Sequence, residues 1–495
     1  MRRAAQLLII LAICAIVAIG GAALVSRYVR AHAIELVKKR YGDAVEVSDL
    51  NVSLFPRIVV RSGRVIMRQK ERPGFPPLIV IERAFAETNW AAALQRRIAT
   101  LRLEGLKITV PPRRETAQHQ TKPKNAPPLH IDRIVADGTV LRILPKKPGK
   151  EPLEFDIHRL TLRDEGPDNP MSFDAVLKNA KPPGEIQSSG KFGPWNPDPA
   201  LTPVSGTYTF HDANLGVFRG ISGKLSSEGR YNGQLDNIHV EGHTDTPDFM
   251  LRVSGHPVHL TTEFQARVDG TNGNTYLDSV NGKLGNTNIQ TRGVIERLPG
   301  APGRTVSLDA KVAGGRLEDL LRLSVRASDA PMTGAVTFHT KIVIPPGDVD
   351  IVQKLQLDGA FAIDRAEFSK LSVQEKVNEL SNRGRGDPQA PPTDTVASNF
   401  RGRFKLAEGT MTFSKLHFDV PGIAISLDGT YGLLDERLDL RGEARLQAKL
   451  SQTTTGFKSL LLKVVDGFFA KKGAGAVVPL KIGGTANSPS FGLSL

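Results

Sequence analysis

The stretch VEVSDLNVSLFPRIVVRSGRVIMRQ, residues 45–69, decides the fold class. Val45 and Val47, Val52 and Leu54, and Ile58 and Val60 stand two apart with polar side chains between them. A period of two puts alternate side chains on opposite faces of an extended chain, so each run reads as a strand with one apolar and one polar face. Working outward, LIVIERAFAETNWAAALQRRI (78–98) reads as a strand followed by a short helix, and TLRLEGLKITV (100–110) as a strand pair. In LHIDRIVADGTVLRIL (129–144), Asp137-Gly138 separates two alternating runs, which predicts a hairpin turn.

The same grammar continues for hundreds of residues. Gly-punctuated units recur at residues 222–242, 280–296 and 426–446, and strands at roughly 10–15-residue intervals mark an all-β array. No fixed period holds well enough for propeller blades. The predicted fold is mainly β: an elongated, curled antiparallel sheet with a few short helices, whose apolar face must be covered or put to use. Two helices interrupt it. Residues 368–386 place Leu371, Val377 and Leu380 near one stripe, giving a helix near 369–384. Residues 456–472, GFKSLLLKVVDGFFAKK, carry a broader apolar face with Phe457, Leu461, Val464 and Phe468 as candidates for closing the end of the sheet.

Before the strands comes AAQLLIILAICAIVAIGGAALVS, residues 4–26, without a charge. As a helix rising about 1.5 Å per residue it spans the roughly 30 Å hydrocarbon layer of a bilayer. A cleaved signal peptide is the competing reading, but the apolar core 7–25 exceeds an ordinary h-region of about 7–15 residues, and a retained anchor accounts for that length. Residues 27–41 are expected to continue helically beyond the bilayer. Arg2 and Arg3 face a larger basic collar, Arg27 to Arg40, yet long domains translocate largely regardless of flanking charge. The bulk of the chain is therefore placed outside the cytoplasm.

The single cysteine, Cys14, lies inside the apolar run, so the remainder has no thiol for disulfides, metal ligation or catalysis. The formal charge of +14 is spread along strand-like segments, without an aromatic-flanked basic motif, which argues against nucleic acid as a partner. His239, His243, His256 and His259 have close spacings but no HExxH pattern, and no Walker A loop, GxSxG elbow or dinucleotide fingerprint is present. No catalytic group, metal site or cofactor is predicted, and the chain reads as a non-enzyme.

Four stretches resemble the AsmA-like proteins of diderm bacterial envelopes. They are the anchor with residues 45–67, NWAAALQRRIATLRLEGLKITV (89–110), FRGRFKLAEGTMTFSKLHFDVPGIAISLDGTYGLLDERLDLRG (400–442) and VVPLKIGGTANSPSFGL (477–493). The resemblance implies a single-pass inner-membrane protein with a periplasmic, taco-shaped sheet and a hydrophobic groove, associated with phospholipid movement and outer-membrane integrity. It divides the chain into a tip and anchor (1–26), an N-terminal module (27–110), a linker or loop (111–128), a central β array (129–365) and a C-terminal region (366–495).

Within that groove Met411, Phe413, Leu416, Phe418, Val420, Ile425 and Leu427 are the candidates for contact with acyl chains. Burying such chains is worth about 0.8 kcal/mol per CH₂ and needs no nucleotide. Expected partners are phospholipid, the inner membrane through residues 4–26, and envelope proteins. The competing function is a non-enzymatic scaffold for outer-membrane protein assembly, its interior filled by its own side chains.

Overall fold

The computed structural model describes residues 45–54, 56–68, 76–95, 97–110, 130–144, 153–163, 169–194, 196, 198–326, 329–369, 371–390, 398–448, 476–485 and 488–493. The fold is mainly β, a large curled sheet with a few short helices. It divides into two units, each described by itself: Met1–His211 with Glu228–Val240 and Val268–Gly273, and Asp212–Ser227 with Glu241–Arg267 and Asn274–Leu495.

In the first unit the strands are β1 (Val45–Val47), β2 (Asn51–Ser53), β3 (Ile58–Ser62), β4 (Val65–Met67), β5 (Ile79–Ile81), β6 (Arg83–Thr88), β7 (Arg97–Ile98), β8 (Thr100–Glu104), β9 (Lys107–Val110), β10 (His130–Ile131), β11 (Arg133–Ile143), β12 (Leu153–Arg163), β13 (Met171–Ala180) and β14 (Pro183–Phe192). Helix α1 (Trp90–Leu94) follows β6, its first turn capped by the Asn89 side chain on the Ala92 amide. The pairs β1/β4, β2/β3, β3/β6, β4/β5, β5/β9 and β6/β8 are antiparallel. β1–β2, β3–β4, β5–β6 and β8–β9 are thus four long strands, each broken halfway.

The breaks form a row across the sheet. Asp49 (φ 52°), Gly105 (φ 63°) and Gly138 (φ 66°) sit in the left-handed region. The Gly63 amide donates to Ser48 O, the Glu82 amide to Glu104 O and the Gly105 amide to Asp137 O, at 3.0–3.2 Å. The register is the same on both sides of each break, so no strand gains a residue and the breaks are kinks that face one another across each pair.

Two expectations are corrected here. Asp137-Gly138 is no hairpin turn: β11 runs straight through it, pairing with β12 on both sides as Asp137 with Arg159 and Thr139 with Ile157. The positive φ of Gly138 kinks the strand there without inserting a residue, the register with β12, β8 and β9 being the same on both sides. The sheet is also not wholly antiparallel. β11 lies parallel to β8 and β9, because the connection 111–129 is long enough to carry the chain back to the starting end, which a tight turn cannot do.

β15 (Pro203–Asn214), β16 (Ile221–Ser222), β17 (Lys224–Gln234), β18 (Asn237–Leu251) and β19 (Val258–Asp269) precede the consecutive strands of the second unit. These are β20 (Asn274–Leu284), β21 (Thr287–Glu296), β22 (Thr305–Arg316), β23 (Met332–Ile344), β24 (Gln356–Phe368), β25 (Ser398–Ala407), β26 (Thr410–Val420), β27 (Ile423–Gly432), β28 (Leu438–Leu446), β29 (Ala476–Thr485) and β30 (Ser488–Leu493). Each pairs antiparallel with the next. Helices α2 (Leu317–Ser324), α3 (Ile351–Lys354) and α4 (Leu371–Arg385) occupy connections between them. α4 matches the helix expected near 369–384. Residues 4–26 and 456–472 lie outside the described residues. Among those described, no helix is long and apolar enough to cross a membrane.

In the second unit the register does shift, at true bulges that neighbouring side chains hold. The amides of Gly314 (φ 65°), Arg365 (φ 51°) and Lys415 (φ 54°) are bound by Thr337 Oγ1 (3.1 Å), Asn399 Oδ1 (3.0 Å) and Asp428 Oδ1 (2.8 Å) respectively. An unpaired ladder amide is thereby satisfied by the strand beside it.

Candidate functional site

Register, not sequence distance, builds the apolar face of the second unit. Directly opposed residues in an antiparallel pair share a face, and one such row runs Val336, Ile363, Phe400, Phe418, Ile425, Ala444, Val478 from β23 to β29. A second runs Leu308, Ile342, Leu357, Leu406, Met411, Tyr431, Leu438 from β22 to β28. Between them lie Phe404, Phe413 and Leu440, with Gly359 and Gly429 in the same row.

All seven groove candidates fall on this one face, and the structure separates them into two groups. Val420, Ile425 and Leu427 are buried in a cluster with Val377 of α4 and Leu440. Met411, Phe413, Leu416 and Phe418 are only half-buried. α4 is pinned at its end of the face by Ser381 Oγ donating to Pro421 O at 2.6 Å and by the Ala448 amide on Gly384 O at 2.9 Å. A side chain at Gly384 would collide with Ile423 and the Gly422 backbone, so glycine is what permits this approach. α2 packs at the same end of the strands, where Leu317, Leu320 and Leu321 meet Val312, Val336 and Ile363. Phe457, Leu461, Val464 and Phe468 lie outside the described residues.

Away from α2 and α4 the face is covered by its own side chains. Phe361 lies 6.0 Å from Phe404 and 6.3 Å from Phe413, and Phe400 stacks on Phe418 at 4.6 Å. Phe361, Phe400 and Phe404 were not singled out from the sequence, although the alternation in residues 399–406 carries the signal. The six largest fully buried side chains among the described residues are threonines and serines. No Leu, Ile or Phe among them is enclosed to that degree, as one-layer packing requires.

The opposite face is polar and carries a charge ladder. Arg267 makes a bidentate pair with Asp278 (2.9–3.2 Å), which lies in a bulge of β20 across from Arg292. The next rungs are Asp309, Lys341, Asp358 and Lys405, each directly opposite the last. His339, 2.9 Å from Asp309, holds that carboxyl below the usual carboxylate range, helped by Lys311 and Arg292. A shallow cleft of about 560 Å³ on this face is lined by Arg267, Tyr276, Asp278, Arg292, Asp309 and Lys341 with the intervening backbone.

No titratable cluster suited to a metal occurs among the described residues. His256 meets Arg326 O at 3.2 Å and His259 meets the Asp245 carboxylate, so these two do not converge. Tyr431, half-buried on the apolar face, has its hydroxyl pKa pushed up by burial and by Glu436 and stays neutral at physiological pH. Compared with protein-family models, curated proteins and solved structures, the chain matches none.

Proposed function

We propose that this chain is an inner-membrane-anchored periplasmic protein whose apolar face binds phospholipid acyl chains and supports lipid transport between inner and outer membrane, or outer-membrane integrity. The observation that supports this reading is the continuous apolar face of β22–β29, flanked by helices at one end and half-exposed at Met411, Phe413, Leu416 and Phe418. Acyl chains laid along it gain about 0.8 kcal/mol for each CH₂ removed from water while headgroups stay solvated. The anchor 4–26 and the resemblance to AsmA-like proteins point to the compartment. The mechanism uses no catalytic group: a lipid moves by exchanging one apolar contact for the next.

A second reading is favoured by a different observation. The contacts among Phe361, Phe404 and Phe413 fill part of the face with the protein's own rings, which suits a scaffold for outer-membrane protein assembly that carries no lipid. Photo-crosslinking in cells separates the two. With a benzoylphenyl side chain at Phe413 or Phe418, phospholipid adducts are expected. None is expected at Thr412 or Lys405 on the opposite phase. Protein-only adducts at both apolar positions would sink the lipid reading and leave the scaffold.

A further inference from the structure

At one corner of the first unit two large apolar side chains are exposed. Trp90 and Leu94 of α1 are 51% and 85% exposed, and α1 has no buried residue at all. Four residues apart on a helix, they lie on one face. The same end of the strands carries the turn after β2, where Leu54 is half-buried and Pro56 exposed, because Ile58 of β3 pairs with Thr88 just before α1. Among the described residues there, Arg57 is paired with Glu87 at 2.7 Å and Arg97 with Asp132 at 3.0 Å.

We infer that this corner docks on a lipid bilayer, with Trp90 and Leu94 seated at the headgroup–acyl boundary. The inference rests on the reading of residues 4–26 as a membrane anchor. Trp and Leu on an exposed turn, with cations at the rim, are the composition of an interfacial contact, tryptophan being the residue enriched at that depth. Chain length makes the contact reachable. The 18 residues from the end of the apolar run to Val45 rise about 27 Å if helical. β1 and β2 then cover nine residues, about 30 Å, toward the end that bears α1. The corner is thereby within reach of the level at which the anchor ends. With Arg57 and Arg97 paired within the protein, the apolar pair supplies the attachment, and the contact is expected to vary little with salt.

The test uses the full chain with Trp195→Phe, which leaves Trp90 as the only tryptophan. It is reconstituted in phosphatidylethanolamine–phosphatidylglycerol vesicles with and without brominated acyl chains. Trp90 emission is expected to fall by about half on brominated lipid, in low and high salt alike, and Leu94→Glu to abolish that quenching. If the chain floats with the vesicles while Trp90 is quenched by aqueous iodide and not by bromolipid, the docking inference is overturned and the anchor stands. If the chain fails to float and Trp90 is unquenched, both fall. Should Trp195→Phe not fold, a bimane on Leu94→Cys in a Cys14→Ser chain reports the same quenching.

Discussion

The two units carry apolar faces of the same period but opposite texture. In the first, the rows across β13, β14 and β15 run Ala175, Ser188, Tyr208 and Phe173, Gly190, Gly206. Tyr231 fills the gap that the glycine pair leaves: a side chain at Gly206 would strike its hydroxyl. That hydroxyl donates to Ser188 Oγ at 2.7 Å, which in turn donates to Thr207 O at 2.9 Å. In the second unit the equivalent rows hold Phe361 against Phe404 and Phe413, and Phe400 stacked on Phe418. At that point one face has a tyrosine hydroxyl reaching a pair of glycines, where the other has rings packed on rings. Alternation specifies which face is apolar, whereas the size of each alternate residue specifies how deep that face is.

The largest expected effect falls on the aromatic side. Leu427→Asp places a carboxylate among Val377, Ile425 and Leu440 and should cost about 4 kcal/mol, read by urea denaturation with hydrogen exchange. Exchange should accelerate in β26–β28 and not in β12–β14, and a uniform rise would break the distinction between the units. Next, Gly206→Ala is expected to cost about 2 kcal/mol, since the new methyl meets Ser189 O and Tyr231. Gly402→Ala, whose methyl finds its nearest neighbours at 3.2–3.4 Å, should cost less than about 1 kcal/mol. Equal losses would erase the contrast in texture.

Tyr231→Phe keeps the ring but removes the hydroxyl held by Ser188, for a loss of about 1 kcal/mol. Burial raises the Tyr231 pKa, so the hydroxyl stays protonated at neutral pH and the loss should not vary there. The smallest effect concerns Asp309. Its folded-state pKa is depressed by His339, so its contribution is present above the unfolded carboxylate pKa and disappears as pH falls through the folded one. Asp309→Asn should flatten the acid limb of a stability–pH curve by less than about 1 kcal/mol, the pair being partly solvent-exposed.

Much of the sheet was legible in alternation because a half-buried strand has no other way to be written. Even a bulge is written there: Ser414 and Lys415, two polar residues in succession, mark where the phase skips between Phe413 and Leu416. Asp137 and Gly138, both exposed between buried Ala136 and Thr139, skip the phase of the faces in a like way, but with the register against β12 unchanged. It read as a turn because a glycine that favours φ > 0 in a hairpin favours it equally in a mid-strand kink. The parallel joint of β11 was hidden since a connection 19 residues long records no direction. α2, eight residues long, is too short to show helical period against strands on either side. The separation of Val420, Ile425 and Leu427 from Met411 and Phe413 needed the position of α4, which is a tertiary fact.

The charge ladder has a consequence for how the chain finds its pairing. The four connections between β21 and β25 are long, from Arg297 to Arg304 at the shortest, and a long connection does not fix which residue meets which. A slip by one residue would turn the apolar face outward and correct itself, but a slip by two would keep every apolar residue inside. Such a slip sets Arg292 against Ser307 or Lys311, and Lys341 against Gln356 or Ala360. Each misplaced rung forfeits about 0.2–1 kcal/mol. In this block of strands the solvent-facing charges act as the proofreading of an error that hydrophobic burial cannot detect. The ladder stops at Thr412 and Thr430, where two-residue turns at 408–409 and 421–422 set the register by themselves.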